Sequence, residues 1–170
     1  MGSKIIYLLR HAEASPKNTG ISDYDRSLTP HGEDQAQNVA NYLRDKILTF
    51  DFVMCSSALR TQETLEPLRP YLGTEDIDLN PHYYNIEEEK VLDFLRLASE
   101  DAKRILYIGH NPGIAFAALR FVPQGQPHPY IQQGFPTAGL AGFSFEISSW
   151  HDLNWGKGQL IEFYNPDGKS

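Results

Sequence analysis

Two histidines and two arginines follow three short apolar runs. Residues 5–9 lead into Arg10-His11-Ala12-Glu13, and residues 52–55 lead into Ser56-Ser57-Ala58-Leu59-Arg60. Residues 105–108 lead into Gly109-His110-Asn111-Pro112-Gly113. If the runs are strands of one open α/β sheet, the segments beyond their carboxyl ends share the layer where such sheets bind ligands. Alone, a histidine after a strand is ordinarily structural and an arginine on a helix ordinarily solvated. Together, two guanidinium forks, two imidazoles and backbone N–H groups at helix starts form a cradle for an anion. Arg60 falls on a first helical turn, where a cation opposes the helix dipole unless an anion lies nearby. Arg10 adjoins an apolar strand, where an unpaired charge is costly.

A phosphoryl group in transfer needs its equatorial oxygens held by fixed positive groups and a nucleophile placed in line. Arginine forks suit those oxygens better than lysine. A neutral imidazole can attack phosphorus and form a covalent phosphohistidine that water later releases. His11, at the tip of the first run, is the candidate nucleophile. His110 is then the cationic or hydrogen-bonding group that stabilises the transferring phosphoryl.

The elements that must position these residues follow from periodicity. The three runs lack strict alternation, as expected of strands covered on both faces. Ala36, Val39, Ala40, Leu43 and Ile47 recur at helical spacing after Thr29-Pro30, an N-cap followed by proline at the first helical position. Ser57 is positioned to cap a second helix carrying Leu59, Leu65 and Leu68, with Pro67 blurring its end. A third helix spans about 87–98, acidic in its first turn, with Val91, Leu92 and Leu95 inward. A fourth follows Asn111-Pro112 and carries Ile114, Phe116, Ala117, Leu119 and Phe121. Residues 140–147 and 159–164 read as edge strands. Residues 122–137 are rich in proline, glycine and glutamine and have no periodicity, which makes them a functional loop or a surface excursion. The fold class is α/β: a single-domain three-layer sandwich over residues 1–170, its central sheet mostly parallel with helices on both faces.

Composition bounds the partners. The chain has 170 residues, close to one domain, with 22 Asp and Glu against 15 Lys and Arg, a formal charge of −7. That sign argues against a nucleic-acid partner. It opposes an anionic substrate only until the charges are placed. Glu87, Glu88, Glu89, Asp101 and Asp167 fall away from the motifs, whereas Arg10, Arg60 and Arg26 fall among them. Cys55 is the only cysteine, so neither an internal disulfide nor a thiolate metal site can form, and its apolar run makes it core rather than a nucleophile. No apolar run near the start is long enough for a signal core or a membrane span, and the expected location is cytoplasmic, without membrane partners. A zinc site from His11, Glu13 and His110 lacks any metal-binding spacing, so no metal or other cofactor is expected. Composition is silent on oligomeric state.

The linked motifs resemble a known family. Leu8-Leu9-Arg10-His11-Ala12-Glu13-Ala14 is similar to the signature of the histidine phosphatase superfamily, which includes phosphoglycerate mutases. Residues 28–36, Leu-Thr-Pro-His-Gly-Glu-Asp-Gln-Ala, resemble that family's helix start. Ser56-Ser57-Ala58-Leu59-Arg60-Thr61 and Gly109-His110-Asn111-Pro112-Gly113 resemble its second arginine and second histidine motifs. The resemblance covers nearly the whole chain in order. It implies a phosphoglycerate mutase-like fold, phosphorylation of His11, a phosphate held by Arg10, Arg60 and His110, and no metal. Asp25-Arg26-Ser27-Leu28-Thr29, Phe135-Pro136-Thr137-Ala138 and Trp150 extend the likeness to the small SixA-type phosphohistidine phosphatases. By that likeness Arg26 faces the substrate phosphate or its carrier; the structural alternative is a salt bridge with Asp23 or Asp25.

One departure bears on the substrate. Mutases and many phosphomonoesterases of this superfamily carry an acid between the second arginine and second histidine motifs, and it protonates the leaving alkoxide. Here that stretch reads Pro81-His82-Tyr83-Tyr84-Asn85-Ile86. Glu87, Glu88 and Glu89 follow as a helix first turn, serving the dipole and solubility. A general acid typically contributes about 10²–10⁴-fold. A phosphoramidate tolerates its absence, because the P–N bond is labile and a protonated imidazole leaves readily. The expected activity is therefore hydrolysis of phosphohistidine on a protein. The alternatives are a phosphomonoesterase or mutase acting on a small phosphate ester, and a non-catalytic module that binds phosphoprotein. Tyr83 and Tyr84 are either rim or core residues.

Overall fold

Successive residues of the buried strands point into different hydrophobic layers. Ile6 and Leu8 pack with Ile105 and Tyr107 on one face of the sheet, whereas Tyr7 and Leu9 pack with Leu106 and Ile108 on the other. Apolar side chains are therefore needed at consecutive positions, which is why these runs show no alternation. The computed structural model describes residues 2–17, 20–126, 128 and 134–168.

In chain order the elements are β1 (Lys4–Arg10), α1 (Pro30–Lys46), β2 (Phe52–Ser56), α2 (Leu59–Leu65), β3 (Ile77–Asn80), α3 (Glu88–Arg96), β4 (Arg104–Gly109), α4 (Gly113–Phe121), β5 (Leu140–Phe145) and β6 (Gly158–Tyr164). The strands form one sheet in the order β3-β2-β4-β1-β5-β6. β3, β2, β4 and β1 pair in parallel, and β5 runs antiparallel to both of its neighbours. Val39, Ala40 and Leu43 of α1 and Leu65 of α2 bury against one face; Val91, Leu92 and Leu95 of α3 and Ile114, Ala117 and Phe121 of α4 bury against the other. This is the expected three-layer α/β arrangement with a mostly parallel sheet. Among the described residues, no helix is long and apolar enough to cross a membrane.

Two local expectations change, and one strand is added. β5 is interior, because β6 covers its outer side, and the second edge is β3. That strand gave no sequence signal because it has four residues with only two apolar side chains and pairs on one side alone. Ser57 does not cap α2: the N-cap is Ala58, without a side-chain bond, and the Ser57 hydroxyl instead meets that of Tyr24. Pro67 does not extend the helix but sits in a 3-10 segment, Glu66–Tyr71, that follows α2. Thr29 does cap α1, its hydroxyl accepting from Gly32 N at 3.0 Å. Of the proline-rich segment 122–137, residues 127 and 129–133 lie outside the described residues.

The register of the sheet does most of the positioning. Arg10, the last residue of β1, stands opposite Gly109, the last residue of β4, and His11 N donates to Gly109 O at 3.0 Å. β2 lies on the other side of β4, Cys55 opposite Ile108. Three strand ends thus finish at one level, side by side. The first turn of α1 presses onto the segment after His11. A Cβ at Gly32 would lie 2.0 Å from Glu13 O, an approach only glycine permits.

Candidate active site

At this level a cleft of about 410 Å³ opens, lined by Arg10, His11, Arg60 and His110 with Glu13, Asp23, Arg26, Asn85 and Thr137. All four residues singled out at the strand ends come together there, and so does Arg26. His11, Arg60 and His110 are almost fully buried.

The His11 ring is fixed by its own loop. Nδ1 lies 2.7 Å from Ala12 O, and a carbonyl can only accept, so Nδ1 carries the proton and Nε2 is the basic nitrogen. The backbone holding that carbonyl is itself pinned: Ala12 N donates to Thr64 Oγ1 at 2.9 Å and Glu13 N to Gln35 Oε1 at 2.8 Å. Burial, then the charges of Arg60, Arg10 and Arg26, pull the His11 imidazole down to about 4, against the opposing pull of Ala12 O. It is neutral at physiological pH.

His110 stands beside it, the ring centroids 5.3 Å apart. Its Nε2 pairs with Ser56 Oγ at 2.8 Å, and its Nδ1 is buried without a protein partner. Burial foremost, then His11 and Arg60, bring this imidazole down to about 3. In the free protein it is therefore a neutral hydrogen-bonding group rather than a cation.

The arginines are held from behind. Arg10 Nη1 donates to Phe135 O at 2.9 Å. Arg60 Nη1 donates to Asp23 O at 2.6 Å and Nη2 to Asp23 Oδ2 at 3.1 Å. The Nε atoms of both arginines are buried with no partner. Two guanidinium N–H groups and one imidazole nitrogen without a protein partner thus lie together beside a neutral histidine; donors so grouped can bind an anion. Arg26 does both things considered for it: it lines the cleft and forms a salt bridge to Asp23 Oδ1, Nε and Nη2 each at 2.9 Å. Asp25 instead accepts from Ser22 Oγ.

Sequence reasoning named Asp23 only as an alternative ion-pair partner of Arg26, missing its bonds to Arg60 and Tyr84, and passed over Gln35. Asp23 lies in a 3-10 turn, Asp23–Asp25, within the excursion between β1 and α1. Gln35 sits on the inner face of α1 among apolar residues, and a buried amide there was the available signal. Its Nε2 donates to Thr137 Oγ1 at 2.9 Å and to Asp167 Oδ2 at 2.6 Å. The tyrosine pair divides. Tyr83 is core, while Tyr84 sets its ring edge-to-face on His110 and its hydroxyl on Asp23. None of Glu87, Glu88 and Glu89 lines the cleft, and the latter two pair with Arg120. Cys55 is buried and its thiol is pushed up by desolvation, as expected of core. Among the described residues no group of three His, Cys, Asp or Glu is arranged to hold a metal ion.

Comparison with known proteins gives a consistent likeness. The family model described as histidine phosphatase superfamily (branch 1) matches residues 6–84. The phosphohistidine phosphatase SixA of Escherichia coli strain K12 is 25% identical over 153 residues, covering 88% of this chain and 91% of that one. A Mycobacterium leprae protein is 28% identical over 165 residues, 93% of this chain and 99% of its own. The structure of a SixA-type protein from Nakamurella multipartitia matches with a TM-score of 0.86 at 25% identity, covering 99% of both chains. The motif order, the sheet and these relatives agree in one likeness: the chain is similar to the histidine phosphatase superfamily, with SixA proteins among the similar relatives, and the likeness supports a phosphatase.

Proposed function

We propose that this phosphatase hydrolyses phosphohistidine on a protein substrate, through a covalent phospho-His11 intermediate and without a metal ion. The observation that carries the reading is the neutral His11 ring, its proton fixed on Nδ1, beside three unpartnered buried nitrogens on Arg10, Arg60 and His110.

His11 Nε2 attacks phosphorus as the P–N bond to the substrate imidazole breaks, and that imidazole, whose other ring nitrogen is already protonated from solvent, leaves as a neutral ring. Water then attacks phospho-His11, releasing phosphate and returning the ring to its neutral form. Arg10 and Arg60 face the equatorial oxygens, and His110 Nδ1 meets a third as charge develops. Arg26 reaches the phosphate or the chain that carries it. These guanidinium groups supply the positive charge that a metal ion supplies in other phosphatases. One domain spanning residues 1–170 carries the whole activity, and its place of action is the cytoplasm.

Two features favour phosphohistidine over a phosphate ester. The stretch from Pro81 to Ile86 brings Asn85 to the cleft and Tyr84 against His110 but no acid; of the two acids in the cleft lining, Asp23 is held ionised and Glu13 is engaged by the Thr29 hydroxyl. A leaving imidazole tolerates this and an alkoxide does not. The Escherichia coli SixA relative bears the same substrate in its name.

The test compares turnover of a phosphohistidine protein with that of small phosphate esters, with His11→Ala as control. Turnover should favour phosphohistidine and vanish in His11→Ala, while inorganic phosphate still binds that variant through Arg10 and Arg60. Faster ester hydrolysis would overturn the substrate, retained activity in His11→Ala would overturn the nucleophile, and binding without turnover would make the chain a phosphoprotein-binding module.

A further inference from the structure

Asp23 is a carboxylate set among the cations of a site that must attract phosphate. A free acid there would repel the substrate, yet this one is fully engaged. Its Oδ1 takes two bonds from Arg26 at 2.9 Å. Its Oδ2 takes the Tyr84 hydroxyl, Arg60 Nη2 at 3.1 Å and Asn85 Nδ2 at 3.4 Å. Its backbone carbonyl takes Arg60 Nη1. One residue thus ties the β1–α1 excursion, α2 and the segment before α3 to a single point. The Tyr84 ring adds a face to this clamp, 5.8 Å from the Arg60 guanidinium carbon.

We propose that Asp23 is a positioning residue for phosphoryl transfer, aiming Arg60 and Arg26 at the phosphate rather than donating a proton to the leaving group. The inference rests on the phosphatase reading above. Arg60 has one N–H of each terminal nitrogen turned back onto Asp23, which fixes the guanidinium at the cleft wall and leaves its other three N–H groups for a ligand. Without that anchor the side chain regains its rotamers and the guanidinium plane is no longer set before the substrate arrives. The hydrogen bond from Tyr84, then the charges of Arg60 and Arg26, hold the Asp23 carboxyl well below the usual carboxylate range. It has no proton to give at neutral pH. Its oxygens are also occupied by donors, so the reacting atoms meet the arginines and not the acid.

A positioning role makes a split prediction. Deleting the carboxylate disorders Arg60, which matters most when charge develops, but it also removes a negative charge from the site, which favours phosphate in the ground state. Asp23→Ala should lower kcat about 10- to 100-fold, the range for a displaced catalytic contact, on phosphohistidine and on p-nitrophenyl phosphate alike. Its Kd for inorganic phosphate should be unchanged or tighter. Tyr84→Phe removes one donor to the same oxygen and should lower kcat less. Asp25→Asn removes a carboxylate from the same turn that touches only Ser22, and should leave kcat and Kd at wild-type values. Thermal melts of all three establish that the folded protein is being measured.

Wild-type kcat in a folded Asp23→Ala overturns the inference. So does a loss confined to substrates with poor leaving groups, which would make Asp23 the proton donor. Parallel weakening of phosphate binding and turnover would make it a binding or purely structural residue, and overturns it as well. A wild-type protein that neither binds phosphate nor turns over either substrate defeats the phosphatase reading itself, and the inference with it.

Discussion

The imidazoles of His11 and His110 lie with ring centroids 5.3 Å apart although 99 residues of sequence separate them. The parallel register of β1 on β4 brings this about: Arg10 is opposite Gly109, so the next residue of each strand emerges at the same place. The two rings are differently anchored, His11 by a carbonyl and His110 by a hydroxyl, which leaves one nitrogen of each for a ligand.

His110 Nδ1 is buried with no protein partner, and the proposed mechanism gives it an oxygen of the transferring phosphoryl. Replacing His110 with alanine should lower kcat about 10²- to 10³-fold, as loss of one donor to a developing charge does. Steady-state kinetics on phosphohistidine check this. A kcat within a few-fold of wild type would remove His110 from the reacting layer.

His11, the proposed nucleophile, should remain competent well into acid. The His11 pKa, near 4 rather than 6.5, keeps the attacking form neutral, so the acid limb of kcat/KM belongs below about pH 5. Stability follows the same groups. His11 and His110 titrate lower folded than unfolded, so the unfolded chain binds more protons between those values. Their contribution is fully present above about pH 6.5 and is lost as pH falls through about 4 and 3. Ring-proton NMR titration and urea melts across this window are the measurements, and histidine titration near 6.5 would contradict both statements.

Arg60→Lys keeps the charge and loses the fork. A single ammonium cannot reproduce two bonds to Asp23 together with an N–H edge toward the ligand. Turnover should fall about 10²-fold or more, and lysine should perform little better than alanine. Rescue by lysine would show that Arg60 acts as a charge alone.

Gly32→Ala should damage a site that Gly32 never touches. The new Cβ would overlap Glu13 O, two residues beyond the nucleophile, and backbone on both sides resists movement. The expected loss is about 1–3 kcal/mol of stability, with a lower kcat as the His11 loop shifts. Calorimetry and kinetics on one preparation test it, and an unchanged melting temperature would show that α1 yields there.

Much of this was legible in local sequence. The buried strands, the Thr29-Pro30 start of α1 and the four residues at the strand ends all follow from periodicity and from motifs a few residues long. β3 escaped because a four-residue edge strand buries too little to leave a pattern. Asp23 escaped for a different reason. Its partners Arg60 and Tyr84 are 37 and 61 residues away, and nothing in Ser22-Asp23-Tyr24 distinguishes a hub from a surface turn.

By itself, the sequence determined which chemistry the chain carries and on which elements, because strand ends, helix starts and residue types are local properties. Only the tertiary structure decided how those groups are charged and aimed. Burial makes both histidines neutral, the Ala12 carbonyl chooses the His11 nitrogen, and Asp23 ties down Arg60 at the cleft wall. Each of these depends on desolvation or on partners from distant segments, quantities that exist only once the chain has closed on itself.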